Sequence, residues 1–471
     1  MARNSSSRAE SGMISPGDII AAIATAWGEA AIAVARLAGD GSVALADAFF
    51  RGKRPLSREP ARRMALGYIM DGGDVVDQVL AVRFERGASY TGEESVEIQC
   101  HGGVYAARKC LGLFMSCGAR LALPGEFTKR AFLSGRIDLA QAEAVLGVVR
   151  ARSDAELASS GRSLQGELSA ALKELSSSLV ALRAEIEARI DFPEDVDDAE
   201  YASYARGVSA ISDKTTSLLG RCRVGLALTN GIRAAIAGRP NVGKSSLLNA
   251  MLESDRAIVT DIPGTTRDTL DAALIHRGMS MTLVDTAGMR DVSRAGSDVI
   301  ESMGVERSRA AVEGADICVL VVDASSPLEH EDFEAALAAA ARPTVLAMNK
   351  RDLGIVLSDA DTKELGNFIA AVETSAPSGR GVNELKEALF EAALGSASPY
   401  DGMMATERMV SALESTAYCM EEAARALAEY RGADIAGSLL SEAAEHIAAL
   451  LGDDASEELL DAIFSSFCIG K

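Results

Sequence analysis

The spacing of apolar residues changes along the chain, and each spacing predicts a different kind of element. Apolar runs of strand length recur in the first 120 residues, at 17–37 with a turn inside, 64–70, 75–84 and 96–100. Gly72-Gly73 is a hairpin signal between two of these runs, and the pattern after Gly102-Gly103 becomes helical through Phe114. Residues 1–120 therefore predict a compact α+β domain.

Helical spacing dominates the rest of the chain, with one interruption. Beyond a connecting segment at 121–138, apolar residues recur every three or four positions to about residue 190, and a further helix is expected over about 199–224. Strand and helix patterns alternate over 232–394, and the chain is helical again over about 405–467. This order predicts an α/β domain inserted into a helical domain, whose helices before and after the insertion pack together.

The predicted fold class is therefore multidomain α/β. A chain of 471 residues with 48% apolar content is long enough for about two to four domains with cores of their own. The predicted segments are an N-terminal α+β domain (1–120), the first part of a helical domain (121–231), an inserted α/β domain (232–394) and the second part of the helical domain (395–471).

The net charge of −21 excludes a surface that is basic throughout, so a nucleic-acid partner would have to meet a local basic patch. The candidates for such a patch are Lys129, Arg130, Arg136, Arg150 and Arg152. The alternative is that these are ordinary solvated helix charges.

Cysteine and histidine usage argues against a metal module. The seven Cys include no C-x-x-C pair, which indicates a reducing compartment, and the four His are scattered. No apolar run reaches the ~18–20 residues that span a bilayer, and residues 1–15 lack a hydrophobic signal core. We therefore expect a cytoplasmic protein without membrane partners. A short organellar presequence is a weak alternative, because Arg3 and Arg8 come with Glu10.

The most informative stretch is Gly238–Ser245, which reads G-x-x-x-x-G-K-S. It follows the apolar run 232–237 and precedes a helical pattern, the context in which such a loop binds phosphate. Backbone N–H groups and the following helix would hold the phosphates. Lys244 would reach the β- and γ-phosphates, and the Ser245 hydroxyl would ligate Mg²⁺.

Further stretches follow in the order that a Ras-like GTPase domain requires. Thr residues in 263–268 can complete a Mg²⁺ shell, and Asp285-Thr286-Ala287-Gly288 closes a strand so that Asp285 lies at the metal. Asn349-Lys350-Arg351-Asp352 follows another strand, and Asp352 can accept hydrogen bonds from both N1–H and N2–H₂ of guanine, which adenine cannot supply. The backbone of Ser375-Ala376-Pro377 can hold the guanine O6. The domain is therefore predicted to bind GTP.

The usual water-orienting residue is missing. Ras-like switches carry Gln after Asp-x-x-Gly, whereas this chain has Met289, which cannot orient water. Either GTP hydrolysis is then very slow, or another residue positions the water and another group neutralises the charge. Asn241 in the phosphate loop offers a carbonyl oxygen that could hold a monovalent cation. Alternatively, that side chain bonds its own turn.

These motifs, together with others outside the nucleotide domain, resemble the tRNA modification GTPases of the MnmE or TrmE family. The resemblance covers nearly the whole chain. Its most specific pieces are Ser89–Gly103, Pro124–Ala144, Ile190–Glu194 and the last five residues, Phe467-Cys-Ile-Gly-Lys471. It implies an N-terminal folate-binding domain and a helical domain with an inserted P-loop GTPase domain.

The resemblance also implies an activity. With an FAD-dependent partner, MnmG, members of this family modify C5 of the wobble uridine (position 34) of certain tRNAs, using a one-carbon unit from a reduced folate. The products carry aminomethyl- or carboxymethylaminomethyl-type groups. The protein would dimerise through its N-terminal domain, form a heterotetramer with the partner and bind 5-formyltetrahydrofolate. Its GTP hydrolysis would be activated by K⁺ when two G domains meet.

Motif matching assigns the residues of each site. For GTP they are Asn241, Val242, Gly243, Lys244, Ser245, Ser246, Thr260, Asp261, Ile262, Pro263, Gly264, Thr265, Thr266, Asp285, Thr286, Ala287, Gly288, Asn349, Lys350, Asp352, Ser375, Ala376 and Pro377. K⁺ would be held by Asn241, Thr260, Ile262 and Thr265, and Mg²⁺ by Ser245 and Thr266. The catalytic candidates are Lys244, Glu301 as the water-orienting group, and Cys468, and the folate candidates are Arg36, Glu97, Arg136 and Lys471.

Several alternatives stay open at this stage. Arg36 can be a solvated strand end rather than an anion ligand, Glu301 a surface helix residue, and Cys468 a bystander thiol near the chain end. Arg136 also stands where the family usually has Lys, and the two are not interchangeable. For the whole chain, the rivals are a ribosome-assembly or RNA-binding switch GTPase without modification activity and a folate-dependent transferase that does not act on tRNA.

Overall fold

The computed structural model describes residues 18–190, 198–253, 272–276, 279–285, 312, 314–394, 398–428, 433–453 and 455–471. These fall into two compact units, Met1–Leu146 with Ala448–Lys471, and Gly147–Ile447. The division into four segments stays a prediction.

The described elements are numbered here in chain order. The strands are β1 (Ile20–Ile23), β2 (Ala30–Ala38), β3 (Phe50–Gly52), β4 (Ala65–Asp71), β5 (Asp74–Phe84), β6 (Ser95–Gly102), β7 (Arg120–Leu121), β8 (Ile232–Ala237), β9 (Ala272–His276), β10 (Met279–Asp285), β11 (Ile317–Asp323), β12 (Thr344–Asn349) and β13 (Ala370–Glu373). The helices are α1 (Ser42–Phe49), α2 (Val104–Ser116), α3 (Glu126–Leu133), α4 (Leu139–Arg150), α5 (Asp154–Leu164), α6 (Glu167–Ile190), α7 (Asp198–Asn230), α8 (Lys244–Glu253), α9 (His330–Ala339), α10 (Asp359–Leu365), α11 (Val382–Leu394), α12 (Glu407–Ala428), α13 (Ala433–Leu451) and α14 (Glu457–Ser465).

The first unit is built on a seven-stranded sheet in the order β3-β4-β5-β6-β2-β1-β7. The apolar run at 17–37 forms two antiparallel strands, with Ile20 opposite Ala38. The hairpin predicted at Gly72-Gly73 is confirmed, since β4 and β5 pair up to Asp71 opposite Asp74. The core of the first unit lies on the sheet face that α1 and α2 cover, where Phe50, Ile98 and Phe114 are almost completely buried.

The segment 121–138, expected only to connect the N-terminal domain to the helical domain, contains helix α3. Gly125 precedes it in the left-handed region (φ 64°), and a Cβ there would lie 2.6 Å from the carbonyl oxygen of Phe464 at the end of α14. Glycine thus permits the last helix to pack directly against α3. The residues from Ala448 onwards accordingly belong to the first unit.

The second unit contains a six-stranded sheet in the order β13-β12-β11-β8-β10-β9. All neighbours are parallel except β9, which is antiparallel to β10. The central strand β11 is buried at every position from Ile317 to Val322. Such uninterrupted apolar strands need cover on both faces, as in doubly wound α/β folds, and two separate apolar clusters lie against this sheet.

Helices from before and after this sheet pack together, as the helical pattern predicts. The Met403 N–H donates to the carbonyl of Arg221 in α7 over 3.0 Å, and Arg223 pairs with Glu414 of α12 at 2.7 Å. A Cβ at Gly225 would lie only 1.6 Å from the carbonyl oxygen of Met403, so the two segments can approach this closely only at glycine. Across the described ranges, the helices include none that is long and apolar enough to cross a membrane.

Candidate functional site

The phosphate-loop sequence folds tightly because two of its glycines adopt backbone angles that other residues rarely adopt. Gly238 has φ 144°, and a Cβ there would lie 2.3 Å from the carbonyl oxygen of Val321 in β11. Gly243 has φ 96°, and its Cβ would lie 2.4 Å from Nδ2 of Asn349. Helix α8 then begins at Lys244, which directs its first N–H groups into the loop.

Lys244 is buried within this loop. Its Nζ donates to the carbonyl oxygens of Gly238 at 2.7 Å and of Arg239 at 2.8 Å. The ammonium group therefore lies inside the ring of backbone that a phosphate would enter. A bound phosphate would exchange these neutral acceptors for a charged one, which makes stronger, charge-assisted bonds.

Arg239 fixes the loop from outside, and sequence reasoning missed it. Its Nε donates to Asp332 at 3.0 Å, its Nη1 lies 3.1 Å from Glu329, and its Nη2 donates to the hydroxyl of Ser326. Asp332 is almost fully buried at the start of α9. An Arg at a variable position of the motif, facing the acidic start of a later helix, was the available signal.

Asn349 connects three of the predicted motifs. Its Nδ2 donates to the carbonyl oxygen of Val242 at 2.9 Å. Its Oδ1 accepts from the Ala376 N–H at 3.3 Å and from the Thr374 hydroxyl at 3.4 Å. The side chain is 2% exposed, so these bonds are made out of contact with water. The structure thus brings the phosphate loop, Asn349–Asp352 and Ser375–Pro377 together.

The two charged residues of Asn349–Asp352 are also held in place. Lys350 has a left-handed backbone (φ 62°), and its Nζ bonds Asp323 at 2.7 Å. Burial alone would raise the pKa of Asp323, but the bonds from Lys350 and Ser325 hold it below its usual value. Asp352 is exposed and accepts from the buried Ser375 hydroxyl at 2.6 Å. Its carboxylate is therefore oriented by a hydrogen bond while remaining open to a ligand.

The remaining nucleotide candidates divide into exposed loop residues and residues outside the described ranges. Asn241 is exposed with φ 63°, and Ser245 and Ser246 are exposed in the first turn of α8. Asp285 ends β10, and its side chain is not described. Outside the described residues lie Thr260, Asp261, Ile262, Pro263, Gly264, Thr265, Thr266, Thr286, Ala287, Gly288, Met289 and Glu301.

A second cluster in the first unit brings Arg36 and Glu97 together. The two are direct partners across β2 and β6, and their side chains form an ion pair at 2.8 Å. The guanidinium lies 5.6 Å from the centre of the Tyr90 ring and 5.5 Å from that of Phe127. Arg36 is therefore paired and stacked rather than a solvated strand end. Sequence reasoning missed both rings, although Tyr90 is the only aromatic residue in the polar stretch 86–95.

The last residues of the chain pack against the same cluster. Arg36 Nη1 lies 3.4 Å from the carbonyl oxygen of Gly470, and the Phe127 N–H donates to that of Lys471 at 3.2 Å. Cys468 is exposed, and its carbonyl accepts from the Gly125 N–H. Arg136 is exposed and bonds the carbonyl of Gly87, in the loop that carries Tyr90, with no direct bond to Arg36 or Glu97 among the described contacts.

The prediction that Lys129 and Arg130 belong to an exposed basic patch is wrong. Arg130 is 4% exposed and contacts the carboxylates of Asp18, Glu93 and Glu126, and Lys129 is 7% exposed and pairs with Asp461 at 2.6 Å. Their charges are neutralised within the fold, because α3 is buried in its own unit. Of the other candidates, Arg136, Arg150 and Arg152 are exposed.

Comparison with known proteins gives consistent matches over both units. Residues 139–468 match the family model described as the MnmE helical domain, and residues 19–136 match that of the GTP-binding protein TrmE N-terminus. The chain is 40% identical to the tRNA modification GTPase MnmE of Moorella thermoacetica, over 96% of this chain and 99% of that one. It is 38% identical to that of Thermotoga maritima, over 96% and 100%.

Among solved structures, Aquifex aeolicus Era bound to GDP and AlF4⁻ is 25% identical over 40% of this chain and 67% of its own, with a TM-score of 0.27.

Proposed function

This chain belongs to the MnmE family of tRNA modification GTPases, and on that premise we propose that it hydrolyses GTP in the course of modifying C5 of the wobble uridine of certain tRNAs. The proposal that the chain binds GTP rests on the hydrogen bonds of Asn349, whose side chain bonds both the phosphate loop and Ala376. The rival, an assembly GTPase that shares only the G domain, does not account for the family matches outside residues 232–394.

In this proposal the loop residues hold the triphosphate. Lys244 exchanges its two carbonyl partners for phosphate oxygens, and Asp352 accepts from N1–H and N2–H₂ of guanine. Ser245 and Thr266 would hold Mg²⁺, which supplies charge neutralisation between the β- and γ-phosphates when bound. The exposed Ser245 hydroxyl, at the start of α8 and next to Lys244, has the donor chemistry and position that this role requires.

The proposal assigns activation of hydrolysis to K⁺. Asn241, with Thr260, Ile262 and Thr265, would hold the ion where other GTPases place an arginine, when two G domains meet. The left-handed, exposed Asn241 supports this, since its side chain lies at the outer surface of the loop. With Met289 unable to orient water, Glu301 would hold the attacking water.

For the N-terminal unit we propose a site for 5-formyltetrahydrofolate or a related reduced folate. The ligand has a ring that donates hydrogen bonds and an anionic tail. A carboxylate, a cation and two aromatic rings meet at Arg36 and Glu97, a donor set that suits such a molecule. Lys471 and Arg136 would add positive charge for the tail, and Cys468 would act in the modification. A homodimer and an FAD-dependent MnmG-type partner complete the proposed assembly.

A complementation experiment tests the function. A strain that lacks the gene is supplied with the wild-type protein or with Lys244→Met, and its tRNA nucleosides are measured by mass spectrometry. We expect the wobble modification to be lost on deletion, restored by the wild type and not restored by Lys244→Met. Unchanged wobble nucleosides in the deletion strain would sink the proposal. GTP turnover in K⁺ against Na⁺ buffer tests the cation separately, and equal rates exclude it.

A further inference from the structure

Three side chains of metal-ligand type converge between α12 and α13, outside every motif described above. They are Cys419 of α12 and Glu442 and His446 of α13, and their ligand atoms all lie within 4.8 Å of one another. Within the described parts of the chain this is the only such group of three. The sequence predicted no His-based metal site, because the four His are scattered; the fold places one of them beside a thiol.

The convergence follows from helix geometry. Glu442 and His446 are four residues apart on one helix, so their side chains lie on the same face, with Glu442 Oε1 3.9 Å from His446 Nε2. Cys419 meets them from the neighbouring helix. Its thiol is buried, His446 is half-buried and Glu442 is exposed, so the cluster runs from the interior to the surface.

The donor set selects among metals. Mg²⁺ and Ca²⁺ prefer oxygen ligands alone, whereas thiolate, imidazole and carboxylate together are typical ligands of Zn²⁺. Ligand distances of about 2.0–2.3 Å at tetrahedral angles put neighbouring ligand atoms roughly 3.4–3.7 Å apart. The ligand atoms found here lie within 4.8 Å of one another, at most about 1.4 Å above that spacing, a difference that a change of side-chain rotamer can supply.

Space for a fourth ligand is present. The three side chains line an open concavity of about 410 Å³, together with Glu414, Ser415 and Tyr418. Glu414 is already paired with Arg223 at 2.7 Å, so the fourth position is left to water. Three protein ligands and one water are the arrangement of an open zinc site.

A simpler interpretation has to be set against this one. His446 and Glu442 can form an ordinary ion pair on a helix surface, and Cys419 can be a packed core residue. That interpretation explains each contact singly. In that interpretation the thiol is at most a weak hydrogen-bond donor to the carboxylate, whereas one cation would bind the thiolate, the carboxylate and the imidazole together.

We propose that Cys419, Glu442 and His446 bind one Zn²⁺ and so join α12 to α13. The ion would link the two helices through their side chains. Because it binds the folded pair and not the separated helices, its binding stabilises the pair by mass action.

The test uses the full-length protein with the exposed thiols removed by Cys117→Ser and Cys468→Ser, stripped with a chelator and titrated with Co²⁺ as a spectroscopic substitute for Zn²⁺. We expect one equivalent of Co²⁺ to give a thiolate-to-cobalt charge-transfer band, and Zn²⁺ to displace it. Adding Cys419→Ser should abolish the band. His446→Gln and Glu442→Gln should each weaken Zn²⁺ binding by at least about tenfold, since even residues that only support ligands cost 10–100-fold.

The matched control is Glu445→Gln, an exposed carboxylate on the same helix and outside the cluster, which should leave the Zn²⁺ affinity unchanged. His446→Gln guards against a folding defect, because His446 is only half-buried whereas Cys419 is buried. No charge-transfer band in the starting protein, or a band of equal affinity in His446→Gln, overturns the proposal.

Discussion

Asn349 donates a hydrogen bond from its Nδ2 to the carbonyl oxygen of Val242 over 2.9 Å. The stretch that recognises the base in our proposal is therefore attached directly to the loop that holds the phosphates. Gly243 makes this possible, since any side chain there would collide with the Asn349 amide. Nucleotide binding should accordingly depend on Asn349, because its side chain holds the two stretches together.

Replacing Asn349 should test this attachment. Asn349→Ala leaves the Val242 carbonyl and the Ala376 N–H without their partner, and a buried unsatisfied group costs about 1–3 kcal/mol. We expect GTP and GDP affinity to fall together by about 10–100-fold in a fluorescent-nucleotide titration. Asn249→Ala, an exposed Asn of α8, is the control and should bind normally. Equal affinities for the two variants would show that the loop holds its shape unaided.

Selectivity for guanine should depend on the Asp352 carboxylate. Asp352→Asn keeps the size and can still meet Ser375, but its amide cannot accept from both guanine donors. We expect the GTP affinity of this variant to fall at least about a hundredfold. Xanthosine triphosphate, which has a carbonyl in place of the 2-amino group, should bind more tightly to the variant than to the wild type. Competition between the two nucleotides measures both changes. If the variant still prefers GTP as strongly as the wild type does, Asp352 does not read the base.

The Arg36 cluster should need its stacked geometry as well as its charge. Arg36→Lys keeps the cation but loses the planar group between Tyr90 and Phe127. We expect this variant and Glu97→Gln to bind 5-formyltetrahydrofolate at least about tenfold more weakly by calorimetry. Arg108→Met removes an exposed Arg of the same unit and serves as the control. Retention of full affinity in Arg36→Lys and Glu97→Gln would place the folate elsewhere.

The carboxylates around Arg130 should make the first unit sensitive to acid. Burial alone would raise the pKa values of Asp18 and Glu126, but bonds from Arg120 lower both, with Arg130 also acting on each. Because these pKa values are depressed in the folded state, their contribution is present above the usual values of 3.8 and 4.5 and is lost as the pH falls through the folded pKa values. Urea unfolding should therefore become easier below about pH 4.

Trp27, the only Trp of the chain, lies in this unit and can report on that unfolding by fluorescence. At pH 7, Arg130→Met removes the cation paired with Glu93 and leaves Asp18 and Glu126 to Arg120 alone, which should cost about 3 kcal/mol. Arg108→Met should change the free energy of unfolding by less than about 0.5 kcal/mol. A loss of the same size in both variants would mean that the buried ion pairs contribute nothing specific.

The sequence was most informative where chemistry depends on neighbouring residues. Periodicity predicts the strands around Gly72-Gly73 and the long helices, and the glycines of the phosphate loop predict its shape. It was uninformative where burial depends on distant partners. Nothing close to Arg130 in the sequence indicates that Asp18 and Glu93 neutralise it. Helix α3 has a basic sequence, but its basic residues Lys129 and Arg130 are buried. The rings beside Arg36 and the thiol beside His446 come together only through tertiary packing.

Helix α7 and strand β8 are separated by a single residue, Gly231, which has φ 73°. The 33 residues of α7 give it a length of about 50 Å, and β8 leads straight into the phosphate loop. At that length, a tilt of about 5° at Gly231 displaces the far end of the helix by about 4 Å. A small change in the angle between α7 and the strand that leads into the phosphate loop is thereby converted into a displacement as large as a side chain.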